Sequence, residues 1–270
     1  MNFPSNLHTH TVFCDGKSDA FEFVEKAIEL GFVSLGFSCH SNTGRSQDVC
    51  ITPEKLKEYH PYLAGLKAEY SDRIQIYTGR ELDRISDPDD GYDYDFTIGA
   101  VHFVCLCEKL YCIDNGPEIF SSALAVSPPE HLVAEYYREL TDCVLGSSGV
   151  VPDIIAHFDI ILLEGKKFFD PNSGWYKNLA IQAADAAIGA GVIIEINTGG
   201  LCRGFYDDLY PTGKLLDYMV ARGADFTLGS DAHHAGGLDF HFPETIDLLR
   251  NKGVKSLKIL RDGDFYDYMI

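Results

Sequence analysis

The sequence predicts an α/β protein that folds as a single (β/α) barrel. Short runs of β-branched and aromatic residues alternate with longer helical patterns, which is typical of parallel strands joined by crossover helices. Seven or eight strand-then-helix units fit within about 250 residues, the usual size of such a barrel. The 270 residues contain no recognisable linker or repeat. We therefore expect one domain over residues 1–270.

The strand candidates are short segments rich in β-branched and aromatic residues. Because helical patterns separate them, we expect them to pair in parallel. They cover residues 6–11, 32–38, 74–81, 96–103, 153–158, 192–198, 226–230 and 257–260.

Helical patterns fill the intervals between these strands. The first covers residues 19–30, with Ser18 as its N-cap, Phe21 on its apolar face and Gly31 as a left-handed end. A second helix begins at Pro53, since proline is tolerated at the first helical position. Similar patterns cover residues 129–145, 175–189, 212–222 and 242–252.

One segment, residues 104–127, interrupts this rhythm. Asp114, Asn115, Gly116 and Pro117 form a turn-like sequence, and the flanking residues are predicted to pair as a hairpin around it. An excursion of this kind after a strand more often forms the lid or wall of a site than a second domain.

Composition excludes several classes of protein. The chain has 41 acidic and 22 basic residues, a formal net charge of −19, which disfavours a nucleic-acid partner. No window approaches the roughly 18 apolar residues of a membrane span. Residues 1–6 lack the features of a signal peptide, and the eight dispersed cysteines indicate reduced thiols. We expect a cytoplasmic protein; the sequence does not indicate its oligomeric state.

Histidines and carboxylates follow or end the predicted strands. His8 and His10 lie two apart in an extended segment, so their imidazoles point to the same side. The C-terminal ends of all strands in a barrel lie on one face, where residues distant in sequence meet. Any one of these residues could be an ordinary polar side chain, but together they predict a metal site. The nine candidate ligands are His8, His10, Asp15, His40, Glu81, His102, His157, Asp231 and His233.

Nine ligands exceed the needs of one ion. They predict two or three divalent ions with open positions for water and substrate, and the mixture of imidazole and carboxylate suits zinc, manganese or iron. The other histidines are interpreted differently. His60 and His131 lie within predicted helices and are assigned to packing or the surface, and His234 and His241 are left off the ligand set.

Eight motifs carry a family resemblance. They are HTH at 8–10, FCDG at 13–16, FSCHS at 37–41, GRELD at 79–83, GAVHF at 99–103, AHFD at 156–159, EINTG at 195–199 and GSDAH at 229–233. In this order they resemble the polymerase and histidinol phosphatase (PHP) family of metal-dependent phosphoesterases, and most closely its histidinol-phosphate phosphatase branch.

The resemblance implies a distorted (β/α)7 TIM-like barrel with a trinuclear metal centre at its C-terminal face. The implied activity is hydrolysis of a small phosphate ester, L-histidinol phosphate, to L-histidinol and phosphate in L-histidine biosynthesis. Many family members carry His where Asp15 stands, so the third site differs here. The implied ligand sets are His8, His10, Glu81 and Asp231 for one metal, Glu81, His102 and His157 for a second, and Asp15, His40 and His233 for the third.

The expected chemistry also needs groups that handle protons and a cation that binds phosphate. A water held between divalent ions loses its proton near neutral pH and can attack phosphorus. Asp231 could orient that nucleophile or shuttle a proton, and His233 is an alternative proton donor only while it is not metal-bound. Arg203, in the loop after strand 192–198, is the best-placed phosphate contact, ahead of Arg45 and Arg84.

Two other functions stay open at this stage. A PHP phosphoesterase acting on nucleotides or a DNA 3′ end is disfavoured because the sequence has no basic stripe. A non-catalytic metal-binding or interaction module with the same fold would be expected to lose ligands, and none of the nine is lost.

Overall fold

The structure, a computed structural model, describes residues 3–45, 48–147 and 149–270. Its strands are β1 (Ser5–Asn6), β2 (Ser34–Phe37), β3 (Gln75–Asp83), β4 (Phe96–Ala100), β5 (Phe103–Leu106), β6 (Lys109–Cys112), β7 (Ile154–Ile155), β8 (Ile193–Asn197), β9 (Phe226–Gly229), β10 (Ser256–Arg261) and β11 (Asp264–Met269).

Helices separate most of these strands. They are α1 (Ala20–Glu29), α2 (Pro53–Glu69), α3 (Pro117–Leu124), α4 (Pro129–Val144), α5 (Leu162–Gly165), α6 (Gly174–Ala190), α7 (Gly199–Arg203), α8 (Gly213–Ala221) and α9 (Phe242–Asn251). Within the described residues, every helix is too short or too polar to span a bilayer.

Seven strands form a nearly closed parallel barrel. Their order is β1-β2-β3-β4-β7-β8-β9, and every adjacent pair is parallel. The chain just after β1 closes the gap to β9, because Thr9 bridges Ala232 and the amide of His10 donates to the carbonyl of Ala232 at 2.9 Å. The predicted (β/α)7 barrel is confirmed.

The eighth predicted strand does not belong to the barrel. Residues 257–260 lie in β10, which pairs antiparallel with β11. The two-residue connection is Asp262-Gly263, both with positive φ (52° and 84°), as a tight hairpin of this twist requires. This hairpin was not predicted, although an Asp-Gly pair between two apolar runs is a strong hairpin signal.

Two local predictions need correction. Helix α1 is capped by Asp19 rather than Ser18: the Asp19 carboxylate accepts from the amide of Phe21, and the Glu22 carboxylate accepts from the amide of Asp19. The buried face of α1 carries Phe23, whereas Phe21 is 47% exposed. The left-handed residue after this helix is Gly31, with φ 74°, as predicted.

The predicted hairpin in residues 104–127 exists, but its turn lies elsewhere. Strands β5 and β6 are joined at Cys107-Glu108, whose φ values of 49° and 62° match a tight two-residue hairpin turn. The Asp114–Pro117 segment instead leads from β6 into α3, with Pro117 at the first helical position. Proline in the helix start explains why this segment turns without forming a hairpin.

The barrel interior is filled by side chains from alternate strand positions. One buried cluster consists of Leu7, Tyr77, Phe96, Ile98, Ala100, Ile154, Ala156, Ile193 and Leu260. The ring of Phe96 occupies space beside two glycines: a Cβ at Gly79 would lie 2.3 Å from the ring, and one at Gly36 would lie 2.6 Å from it. A larger cluster lies between the strands and the surrounding helices.

We expect Gly79→Ala to lower the free energy of unfolding by about 1–3 kcal/mol, since the added methyl group would overlap the buried ring of Phe96. The matched control is Gly65→Ala in α2, where no atom lies within 4 Å of the new Cβ. That change should be neutral or stabilise by up to about 1 kcal/mol. Urea unfolding followed by circular dichroism measures both; equal midpoints for the two variants would contradict the packing argument.

Candidate metal centre

All nine predicted donor residues meet at the C-terminal end of the barrel. They fall into four overlapping groups, and within each group one donor atom per residue lies within 4.8 Å of the others. The groups are His10, Asp15, His40 and His233; His8, His10 and Glu81; His8, His157 and Asp231; and His40, Glu81 and His102.

Glu81 occupies the centre of these groups. It lies near the end of β3, and its side chain is 1% exposed. Its two oxygens serve different neighbours, so the carboxylate lies between two sets of imidazoles. Oε2 lies 3.4 Å from His8 Nε2, 3.5 Å from His10 Nε2 and 2.7 Å from His40 Nδ1, and Oε1 lies 2.9 Å from His157 Nε2 and 3.5 Å from His102 Nε2.

Four buried donors have the spacing of ligands to a common ion. Asp231 Oδ1 lies 3.6 Å from His8 Nε2 and 3.3 Å from His10 Nε2, and Glu81 Oε2 lies at 3.4 and 3.5 Å from the same nitrogens. Ligands at about 2.1 Å from a tetrahedral ion are about 3.4 Å apart. The two nitrogens are buried without a hydrogen-bond partner. Such atoms require compensation, and a divalent cation fits them.

A second donor set lies nearer the pocket mouth. Asp15 Oδ2 is 3.1 Å from His233 Nε2, and Asp15 Oδ1 is 3.8 Å from His40 Nε2 and 3.7 Å from His10 Nδ1. These side chains, apart from His10, are 16–25% exposed, in contrast to the fully buried group around Glu81. Asp15 therefore lies where the sequence placed it, with His40 and His233.

Outer carboxylates determine which imidazole nitrogen faces the centre. His8 Nδ1 lies 2.7 Å from Glu195 Oε1, and His102 Nδ1 lies 3.0 Å from Asp83 Oδ2. A carboxylate accepts the Nδ1 proton, which leaves the Nε2 lone pair directed inward. His233 is held similarly, since its Nδ1 donates to the carbonyl of Asp231 at 2.9 Å. These contacts prepare three imidazoles to bind a cation.

Glu195 and Asp83 were not predicted as site residues. Both occur in motifs recognised in the sequence, and Asp83 lies two residues after Glu81, so the two side chains share one face of β3. Glu195 is 1% exposed, and its other oxygen accepts from the amide of His157 at 3.1 Å and from Asn197 Nδ2 at 2.8 Å. Spacing of two residues along a strand was the signal available for Asp83.

The centre holds its carboxylates ionised and one imidazole neutral. Burial opposes ionisation of Glu81, yet the imidazoles of His40 and His8 hold its pKa well below the usual range. Burial, with repulsion from His40 and His233, lowers the pKa of His10 to about 3. A neutral imidazole beside an ionised carboxylate is the form that binds metal.

Two of the donor residues have unusual backbone conformations. His157 has φ 24° and Asp231 has φ 49°, both in the left-handed region that side chains other than glycine rarely adopt. The amide of His157 donates to Glu195. Asp231 directly precedes Ala232, whose backbone hydrogen-bonds to the segment after β1. Strain maintained in this way is typical of functional sites.

Arg203, the predicted phosphate contact, lies in the same pocket. It ends α7, and its Nη2 donates to Asp231 Oδ2 at 2.9 Å while its Nη1 donates to the Asp231 carbonyl at 3.1 Å. Burial opposes its charge, but the neighbouring Asp231 raises the pKa of Arg203 above its usual value. Arg84 instead faces Glu139 at 3.4 Å, and Arg45 is exposed outside the pocket lining.

The histidines left off the ligand set lie away from the donor groups. His60 stacks on Tyr92 with ring centroids 4.2 Å apart, and His131 is 58% exposed. His234 is exposed, and His241 faces Glu244 at 3.7 Å at the start of α9.

Comparison with known families agrees with this geometry. A family model described as the PHP domain matches residues 6–199, which is more than half of the chain. The chain belongs to the PHP family. The match extends from β1 to the start of α7 and includes seven of the nine donors; Asp231 and His233 follow it.

Its PHP-family relatives match over nearly their whole length. A protein of Schizosaccharomyces pombe named probable histidinol-phosphatase is 31% identical over 96% of this chain and 90% of its own. The histidinol-phosphatase of Bacillus subtilis is 27% identical over 87% and 95%. The crystal structure of histidinol phosphate phosphatase from Lactococcus lactis, complexed with zinc, L-histidinol and phosphate, superposes with a TM-score of 0.74 at 21% identity over 97% and 98%.

We expect Glu195→Gln to weaken metal binding by about 10- to 100-fold, the usual effect of losing a carboxylate behind a ligand histidine. A glutamine cannot accept from both His8 Nδ1 and the amide of His157, because one of its two terminal atoms is a donor. Competition with a chromophoric zinc chelator measures the affinity.

The matched control for this change is Glu139→Gln, which removes a carboxylate facing Arg84 and Arg138 away from the centre. It should leave metal affinity unchanged. Unaltered affinity in Glu195→Gln would refute the role assigned to that carboxylate.

Proposed function

We propose that this chain is a metal-dependent phosphatase that hydrolyses L-histidinol phosphate to L-histidinol and phosphate in L-histidine biosynthesis. The observation that carries the proposal is the convergence of nine imidazole and carboxylate side chains, seven of which line one pocket together with an arginine. The donors suit divalent cations, and the guanidinium suits a phosphate group. The named substrate is supported by relatives called histidinol-phosphatase and by a related structure holding L-histidinol and phosphate.

The donor set supports two or three divalent ions, of zinc, manganese or iron. When bound, such ions acidify water enough for it to act as a nucleophile near neutral pH, and they offset negative charge on the phosphoryl group. Asp15 gives the third site one more carboxylate than is usual in the family, which favours a harder ion there. The proposed ligand sets are His8, His10, Glu81 and Asp231; Glu81, His102 and His157; and Asp15, His40 and His233.

The remaining chemistry is assigned to the chain's own side chains. Arg203 would bind the phosphate through the N–H groups that Asp231 does not use, since a guanidinium has five. Asp231 is held by Arg203, and its Oδ1 points toward His10, which suits it to orient the attacking water or accept its proton. As the bond from phosphorus to the alcohol oxygen breaks, the alcohol oxygen takes a proton. Asp231 can pass on the proton it accepted from the water, and partly exposed His233 is the alternative donor when its Nε2 is free.

The pocket suits a small ester. Its volume is about 330 Å³, and its walls combine the donor residues with apolar side chains. We propose that residues 1–270 form one PHP-type barrel domain whose excursion, residues 104–127, supplies a wall: Cys112, Asp114 and Asn115 line the pocket. A biosynthetic phosphatase of this kind would act in the cytoplasm on a free metabolite.

Removal of divalent metal by chelation should abolish hydrolysis of L-histidinol phosphate, and adding zinc, manganese or iron should restore it, because water alone is a poor nucleophile at neutral pH. Glu81→Ala should show no such recovery and should bind less metal by elemental analysis. Full activity after complete metal removal would overturn the proposal. A rate on L-histidinol phosphate no higher than on nucleoside monophosphates would overturn the named substrate.

Arg203→Ala should lower kcat/KM by about 10- to 100-fold through lost charge-assisted contacts to phosphate, while bound metal stays unchanged because arginine is not a ligand. Inhibition by inorganic phosphate should weaken in parallel. The control Arg84→Ala removes an arginine that faces Glu139 and lies outside the pocket lining, and should retain kcat/KM. Unchanged kinetics in Arg203→Ala would exclude it as the phosphate contact.

A further inference from the structure

The pocket beside the donor residues contains more carboxylates than the donor set uses. Five line it: Asp15, Glu81, Asp83, Asp114 and Asp231. An enzyme for an anionic ester has no electrostatic reason to place an additional negative charge in its pocket, because like charges repel the substrate. Each carboxylate therefore needs a partner or a separate function.

Four of the five have a cationic or imidazole partner. Glu81 is surrounded by imidazoles, Asp231 pairs with Arg203 at 2.9 Å, and Asp83 holds His102 at 3.0 Å. Asp15 lies 3.1 Å from His233 Nε2. These contacts assign all four to the metal centre or to its support.

Asp114 differs from them. Among the described residues it makes no ion pair within 4.0 Å; acting against burial and after Glu81, its charge raises the pKa of His102. Its one side-chain hydrogen bond is weak, from the thiol of Cys112 to Oδ1 at 3.1 Å. It follows β6 in the excursion and does not directly follow a barrel strand in the sequence. Its carboxylate is half-buried and lines the same pocket as Arg203 and His233.

The surroundings of Asp114 strengthen any charge interaction there. The pocket walls include the apolar side chains of Phe103, Ile160, Leu163 and Phe205. Partial removal of water lowers the local dielectric, so a cation beside the carboxylate is attracted more strongly than in bulk water. The pocket thus contains an anionic side chain in addition to the donor residues and Arg203.

We infer that Asp114 binds a protonated nitrogen of the substrate's alcohol portion and thereby selects phosphate esters that carry a cation. The inference rests on the proposed function, since L-histidinol phosphate combines a phosphate with an ammonium group and an imidazole. Asp114 is a specificity-determining residue in this scheme: it holds the leaving alcohol and takes no part in proton transfer or metal binding.

The test compares Asp114→Asn with the wild-type holoenzyme on three esters: L-histidinol phosphate, O-phosphoethanolamine and phenyl phosphate. The substitution keeps the shape of the side chain and removes its charge. kcat/KM for L-histidinol phosphate should fall about 10- to 100-fold, the range for one charge-assisted hydrogen bond, while that for phenyl phosphate should change less than about twofold. If kcat/KM for O-phosphoethanolamine falls in parallel, the ammonium is the bound cation. If it does not fall, the imidazolium is the bound cation.

Glu118→Gln is the matched control, because it removes one negative charge from the same excursion at an exposed position outside the pocket lining. It should leave all three esters unaffected. Asp114→Glu keeps the charge and should preserve the preference for cationic esters over phenyl phosphate, which separates recognition from a loss of folding.

Inhibition by L-histidinol of phenyl phosphate hydrolysis tests Asp114 independently of the proposed substrate. The Ki of L-histidinol should rise in Asp114→Asn, while the Ki of inorganic phosphate stays constant. Equal losses on cationic and neutral esters, or an unchanged Ki for L-histidinol, would overturn the inference. Failure of the proposed function would look different: the wild-type enzyme itself would not turn over L-histidinol phosphate in preference to phenyl phosphate.

Discussion

The arrangement of side chains at the C-terminal end of this barrel depends on one buried carboxylate, Glu81, which is surrounded by five imidazoles. A carboxylate that is 1% exposed is strongly destabilising unless cationic or hydrogen-bonding groups compensate it. Here the compensation comes from residues contributed by β1, β2, β4 and β7 or the loops that follow them, so the charge is compensated only when these strands are assembled around β3. Closure through Thr9 and Ala232 brings Asp231 to the same point. The complete donor set therefore requires the contacts that close the barrel.

This arrangement also explains how a strongly acidic protein can handle an anionic ester. The formal net charge is −19, yet the pocket carboxylates other than Asp114 are neutralised by imidazoles, by Arg203 and, in the proposed function, by divalent ions. The excess acidity belongs mainly to the exposed surface. Within the pocket, Asp114 is an anionic side chain in addition to the donor residues and Arg203, which fits a substrate that carries both signs.

Sequence reasoning predicted the barrel, which the structure confirms, and nine candidate donors, which the structure brings together, because both predictions follow from short-range patterns. Alternating strands and helices predict the fold class, and a polar residue at a strand's end predicts the face on which it lies. The wrong predictions concern a helix cap and the pairing of one strand. Ser18 and Asp19 are both good caps, and only the hydrogen bond to Phe21 distinguishes them. Strand 257–260 has the composition of a barrel strand, but the Asp-Gly turn pairs it with the next segment instead.

What the sequence determined by itself is the barrel fold and the strand ends at which imidazole and carboxylate side chains lie. What only the tertiary structure decided is the division of labour among the carboxylates. Glu195, Asp83 and Asp114 have the same functional group as Glu81, and only Asp83, two residues after Glu81 on the same strand, has a local signal. Their roles depend on distances across the barrel: Glu195 lies 2.7 Å from an imidazole 187 residues earlier, and Asp114 makes no ion pair within 4.0 Å in the described chain. Contacts between segments remote in sequence arise only when the barrel closes, and for that reason they cannot be derived from spacing along the chain.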